Sequence, residues 1–164
     1  MKINATMQLM GTTYRLHYED ADSFDDLPRA QCRQVYGVCF VGDKLVIGFG
    51  GHKHGWGLIG GTIEPGESFE QTLRREIQEE ANLQVVAARP IGYQRVTDPQ
   101  GGVVYQLRYV CSVEPIGPFV ADPAGSVTGI KLIDPHDYRR YFDWGEIGER
   151  LINRALELRP KLLH

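Results

Sequence analysis

Long apolar runs are missing from this 164-residue chain. No stretch approaches the roughly 20 apolar residues that a membrane-crossing helix needs. Positive charge is not in excess either: 18 Lys and Arg face 21 Asp and Glu, for a formal net charge of -3. The basic surface that polymeric nucleic acid requires is therefore not expected. A small anionic substrate stays open, because a bound metal ion reverses the local field. Cysteine is scarce, with Cys32, Cys39 and Cys111 only. The number is odd, and no pair has metal-ligand or redox spacing. Reduced, mostly buried thiols in a cytoplasmic protein are the expectation. Met1 to Thr6 lack the apolar core of a signal peptide. The length suits one domain whose core is large enough to stand without staples.

Alternation and turn chemistry organise what is there. Ile3, Ala5, Met7 and Leu9 alternate with polar residues, Gly11 punctuates, and Tyr14, Leu16 and Tyr18 alternate again, which predicts a hairpin. Residues 19–30 carry Asp20, Asp22, Asp25, Asp26 and Pro28 and suit a surface connection. Val35–Val41 and Leu45–Phe49, joined at Gly42-Asp43, predict paired strands. Trp56–Ile59 predicts a short strand into Gly60-Gly61. A strand over Leu83–Val96, broken near Pro90, and further strands at Val103–Val113 and Val127–Ile133 follow. Asp143 is placed to cap a last helix in which Ile147, Leu151, Ala155 and Leu158 recur at helical spacing. Strands on both sides of one internal helix, with a terminal helix, predict a mixed sheet packed between helices, an α+β arrangement.

The internal helix spans 68–81. Ser68 and Gln71 form a capping box at its start. Asn82 is one of the few non-glycine residues that tolerates the left-handed turn after a helix. On a wheel of about 100° per residue with Phe69 at zero, Leu73 and Ile77 fall near 40° and 80°, Glu80 near 20°, Glu76 near -20° and Glu79 near -80°. Two of three carboxylates thus border the stripe that should be buried. Clustered, partly buried carboxylates need a compensating cation. Hard divalent ions such as Mg²⁺ or Mn²⁺ take carboxylate and carbonyl oxygens. This points to a metal site at Glu76, Glu79 and Glu80, with Gly60 able to supply a carbonyl. Gly60 and Gly61 let the backbone approach metal or phosphate closely. Arg75 and Glu67 are placed to pair and lock the preceding loop to the helix.

The segment Gly61-Thr62-Ile63-Glu64-Pro65-Gly66-Glu67-Ser68-Phe69-Glu70-Gln71-Thr72-Leu73-Arg74-Arg75-Glu76-Ile77-Gln78-Glu79-Glu80-Ala81-Asn82-Leu83 resembles the Nudix box. Gly61, Glu67, Arg75, Glu76, Ile77, Glu79, Glu80 and Leu83 match it; Asn82 stands where the family has glycine. The resemblance implies a Nudix-like α/β/α sandwich over residues 31–164; residues 1–30, outside the part that resembles the family, are expected to be an N-terminal hairpin extension and connection within the same domain. It implies hydrolysis of a diphosphate linkage in a nucleoside diphosphate derivative, by water attack on phosphorus. Glu76, Glu79 and Glu80 would bind Mg²⁺ or Mn²⁺, and one of them, or an acid outside the box, would orient or deprotonate the water. Glu67 and Arg75 would hold the geometry. Nucleoside triphosphates, nucleotide sugars, ADP-ribose and dinucleoside polyphosphates all remain open as small-molecule partners. The other class of function is a Nudix-fold nucleotide-binding or regulatory module without turnover; loss of a box glutamate would favour it, and none is lost.

Weaker candidates lie outside the box. The family often adds an acid from a later loop, for which Asp122 is preferred over Glu114; an ordinary solvated acid is the competing reading. Tyr93, Arg95, Tyr105 and Arg108 lie on adjacent strands and either line a substrate pocket or form a solvated face with cross-strand pairs. His52-Lys53-His54 suits a solvated hairpin tip rather than a phosphate contact. Trp56 suits core packing rather than base stacking, and Arg74 a solvent-facing charge. The N-terminal hairpin either pairs with a second copy, giving a homodimer, or extends the chain's own sheet.

Overall fold

The computed structural model describes residues 1–51, 55–120 and 127–162. Period-2 alternation becomes strand wherever turn residues allow the chain to reverse. β1 (Lys2–Leu9) and β2 (Thr12–Asp20) form the first hairpin. They turn at Met10 and Gly11, both with positive φ, 51° and 80°, the geometry that matches the twist of a two-residue hairpin. β3 (Cys32–Val41) and β4 (Lys44–Gly50) pair next. β5 (Gly55–Gly57), β6 (Ile59–Thr62), helix α1 (Phe69–Ala81), β7 (Leu83–Thr97), β8 (Val103–Pro115), β9 (Val127–Ile133) and helix α2 (Gly145–Leu158) complete the order.

Among the described residues the strands form one mixed sheet in the order β1-β2-β7-β8-β3-β4-β5, with β6 on β3 and β9 on β4. β3 and β8 run parallel, and the other pairings are antiparallel. Alternation sends successive side chains to opposite faces. Val35, Cys39, Leu107 and Cys111 meet Leu73 and Ile77 of α1 on one face. Val38, Phe40 and Val110 meet Leu151, Ile152 and Ala155 of α2 on the other. The sheet is therefore sandwiched between the two helices, as the element pattern predicts. Among the described residues no helix is long and apolar enough to cross a membrane.

Four local expectations change. β7 is not broken at Pro90; it continues through bulges at Val85/Ala87 and Pro90/Gly92. Pairing with β2 begins only at Gly92, so the prolyl nitrogen costs no ladder bond on that side. The strand expected at Trp56–Ile59 is two strands, because β5 pairs with β4 and β6 with β3. Asp143 is not the cap of α2; Trp144 occupies the cap, and Asp143 accepts from the Gly145 amide at 2.9 Å. Asp20 belongs to β2, and Phe24 in the acidic connection is buried, edge-on to Phe69 and Tyr109.

Candidate metal centre

The glutamates reach their places through the caps of α1. Ser68 Oγ accepts from the Gln71 amide at 3.1 Å, and the Ser68 amide donates to Gln71 Oε1 at 2.8 Å. Asn82 ends the helix at φ 53°, ψ 43°, and its side chain donates to the Pro118 carbonyl at 3.0 Å. Asn in the glycine position thus serves as the stop and also ties the helix to the segment after β8.

Arg75 is the hub of the loop before the helix. Its Nε donates to Glu67 Oε2 at 2.7 Å and its Nη2 to Glu67 Oε1 at 2.9 Å, a bidentate pair that confers direction as well as attraction. It also donates to the Thr62 carbonyl at 3.0 Å, to Glu76 at 3.0 Å and to Glu79 at 3.2 Å. One guanidinium therefore holds loop, β6 and α1 together. Glu67 accepts further from Thr72 Oγ1 and from the Glu64 amide, both at 3.0 Å. The Arg75 guanidinium pulls the Glu67 carboxyl down to about 2, with help from Thr72 and the backbone.

Glu76 and Glu80 are both buried, as the wheel predicts, and Glu79 is half exposed. Glu76 lies flat against the backbone of β6: a Cβ on Gly61 would stand 2.5 and 2.6 Å from its two carboxylate oxygens. Gly61 is glycine because the carboxylate needs that space. Burial pushes the Glu76 carboxyl above its ordinary value; Arg75 opposes the shift, and Glu80 and Glu79 add to it. Glu80 accepts from the Val127 amide at 3.1 Å, tying α1 to β9. Gly60, beside Gly61 on β6, has no room for a side chain, since a Cβ there would strike the Val35 carbonyl and the Tyr36 ring. Among the described residues no three acidic side chains already converge on one point. Glu76 and Glu79 turn toward Arg75, whereas Glu80 turns toward β9. The donor set nevertheless suits a hard cation, because charged oxygens on one buried helix face are costly without one.

The remaining candidates do not gather into one pocket. Tyr93 and Tyr105 sit on the α1 face, with ring centroids 5.6 Å apart, and Tyr93 donates to Glu19 at 2.8 Å. Arg95 lines an open groove between the N-terminal hairpin and the β7–β8 ribbon, with Arg15, His17 and Tyr105. Arg108 is on the opposite face and is buried, 4.8 Å over the Tyr36 ring. Glu114 is exposed and accepts from Gln84 at 3.5 Å. Asp122 and His52-Lys53-His54 lie outside the described residues. Trp56 packs against Phe49 and Tyr141 at 5.3 and 5.9 Å. Arg74 is exposed, yet donates to the Val85 carbonyl at 3.0 Å.

Three contributors escaped sequence reasoning. Thr72 is fully buried beside Glu67; the wheel puts it near -60°, between Glu76 and Glu79, where nothing marks it as buried. Arg29 donates to the Glu67 carbonyl and lies 4.4 Å over the Phe69 ring, a long-range contact with no local mark. Gln34, Gln94 and Gln106 form a ladder across three strands, which only the register brings together.

Comparison with known proteins agrees with this geometry. The model of the NUDIX domain matches residues 33–154. The nucleoside triphosphatase NudI of Salmonella heidelberg is 44% identical over 48 residues, covering 29% of this chain and 34% of that protein. The NAD-capped RNA hydrolase NudC of Pasteurella multocida is 29% identical over 118 residues, covering 65% of this chain and 39% of that protein. The chain thus spans well under half the length of these relatives. The crystal structure of the Bacillus subtilis pyrophosphohydrolase BsRppH superposes with a TM-score of 0.68 at 20% identity, covering 96% of this chain and 99% of that one, a likeness of fold.

Proposed function

This chain belongs to the Nudix family, and from that premise we propose that it is a metal-dependent pyrophosphohydrolase acting on a nucleoside diphosphate derivative. The observation that carries the reading is the pairing of Glu76 with Gly61: a carboxylate is buried against a backbone stripped of side chains, at a helix face that holds two more carboxylates. Glu76, Glu79 and Glu80, with the Gly60 carbonyl, would hold the ion. When bound, Mg²⁺ or Mn²⁺ supplies Lewis acidity toward phosphate oxygens and lowers the pKa of a water. The chain's own work is positional. Arg75 and Glu67 fix the loop and the start of α1, so that the glutamates do not reorganise as charge develops at phosphorus. A glutamate of the set, or Asp122, orients the attacking water and accepts its proton. NudI is named for nucleoside triphosphates and NudC for NAD-capped RNA, which supports a nucleotide-type small-molecule substrate. The three buried, unpaired thiols suit a reducing cytoplasm.

The test is incubation with nucleoside triphosphates, nucleotide sugars, ADP-ribose and dinucleoside polyphosphates, with Mg²⁺ or Mn²⁺ and with chelator, products being identified by mass. Cleavage at the diphosphate, abolished by chelator, is expected. Glu79→Gln and Glu80→Gln should each lower kcat by orders of magnitude with an unchanged circular dichroism spectrum. Full rate in both variants would remove the metal assignment.

A further inference from the structure

Arg108 is an anomaly of charge. It is 7% exposed, and among the described residues no carboxylate lies within ion-pair reach of it. Its protein contacts are weak: Gln106 Oε1 at 3.3 Å, the Leu107 carbonyl at 3.5 Å, and the Tyr36 ring beneath it. Burial lowers its pKa, with only the phenols of Tyr36 and Tyr18 opposing. A buried guanidinium without an anion is costly, and a fold does not need one to hold together β8.

Its neighbours form a flat polar strip. Gln94 Nε2 donates to Gln106 Oε1 at 3.0 Å, and Gln106 Nε2 donates to Gln34 Oε1 at 2.7 Å. The ladder uses up both hydrogen-bonding ends of Gln106. Gln34 Nε2 and Gln94 Oε1 carry no described partner, so the strip shows donors at Arg108 and Gln34 and an acceptor at Gln94. It lies on the α2 face, across the sheet from α1, and β6 links the two sides: a Cβ on Gly60 would meet the Tyr36 ring, and a Cβ on Gly61 would meet Glu76. Arg108 is registered with Tyr36, and Tyr36 with Gly60; two strand spacings, about 10 Å, separate Arg108 from Gly60. That is the reach of a nucleoside from its phosphate.

Resting on the hydrolase reading, we propose that Arg108 and the glutamine ladder form the base subsite of this site, and that it selects a 6-oxopurine such as guanine. Arginine meets the O6/N7 acceptor pair of guanine with two parallel donors. Adenine puts an amine beside N7 and would aim a donor at the guanidinium. Gln94 Oε1 then accepts from the N1–H and 2-amino edge. A bare phosphate fits less well, because the amide oxygen of Gln94 would face it.

Calorimetric titration of the whole protein with GMP and with AMP, in Mg²⁺, tests this without requiring turnover. GMP should bind roughly 5- to 150-fold more tightly, the discrimination of a good bidentate pair, about 1–3 kcal/mol. Arg108→Met should erase the preference while Tm stays level or rises, since it replaces a buried charge that has no anion among the described residues by an apolar side chain. A marked fall in Tm would make Arg108 a structural cation and overturn the assignment. Gln94→Leu, at a half-buried position, tests the acceptor side independently, and it too should reduce the preference. Equal binding of GMP and AMP, or a preference that survives both substitutions, would end the proposal. Preferential GMP binding with no turnover of any nucleotide would leave the subsite standing and remove the hydrolase reading instead. Turnover with equal binding of both bases would do the reverse.

Discussion

Gly61 and Glu76 show how one missing atom positions a charge. The carboxylate occupies the space a Cβ would need, so Gly61→Ala should expel it by about an ångström. Displacements of that size cost on the order of 10² in rate. We expect kcat to fall about 10²-fold in Gly61→Ala with Tm little changed; retention of full kcat would show that Glu76 does not act from this position. The contacts that were legible in sequence share a property: each joins residues within one turn or one loop-helix unit. Ser68 reaches Gln71, and Arg75 reaches Glu67 across eight positions of one loop-helix unit. Arg29 was opaque because its partner lies 38 positions away; Arg108 was a candidate from its strand position, but its burial over the Tyr36 ring, on another strand, was not legible.

The helix with its two caps is a self-contained element, and Asn82 is its point of departure from the family pattern. At φ 53° it sits where a side chain with a Cβ is strained. Asn tolerates this and gains the bond to Pro118. Asn82→Ala should lose both, a destabilisation of about 1–2 kcal/mol from the left-handed conformation, measurable as a lower urea midpoint. Asn82→Gly should recover the backbone share. The N-terminal hairpin is held by a different device. Asp20, at the end of β2, accepts from Arg150 of α2 at 2.6 Å and from the chain's amino terminus at 3.4 Å. Burial alone would raise the Asp20 carboxyl, but Arg150 and Tyr18 outweigh it and leave its pKa below 3.8. A depressed carboxylate stabilises the fold above its unfolded pKa and loses that contribution as pH falls through its folded value. Asp20→Asn should therefore cost about 1.5–3 kcal/mol at neutral pH, and the gap from the unsubstituted protein should close in acid below pH 3.8. A gap independent of pH in urea melts would show that the ion pair is not what anchors the hairpin.

At the scale of the whole molecule, local rules settled less. The alternating strands, the capped helix and the amphipathic α2 were readable because periods of 2 and 3.6 are properties of neighbours in sequence. So was the burial of Glu76 and Glu80, since a helix wheel converts spacing directly into burial. The mixed α/β/α arrangement also followed from the order of elements, because amphipathic faces must be covered. What spacing does not contain is register. The parallel pairing of β3 with β8 joins segments about 70 residues apart, and nothing local announces it. That pairing puts Arg108 beside Tyr36 on the α2 face while Tyr93, Arg95 and Tyr105 remain on the other, so residues adjacent in the strand pattern serve different surfaces. The features that carry the proposed diphosphate chemistry sit on one helix and its loop, and the sequence by itself determined their spacing and their burial. The choice of base, as inferred from Arg108 and its glutamines, exists only after the sheet has closed, because a one-residue change of register would turn those side chains to the opposite face.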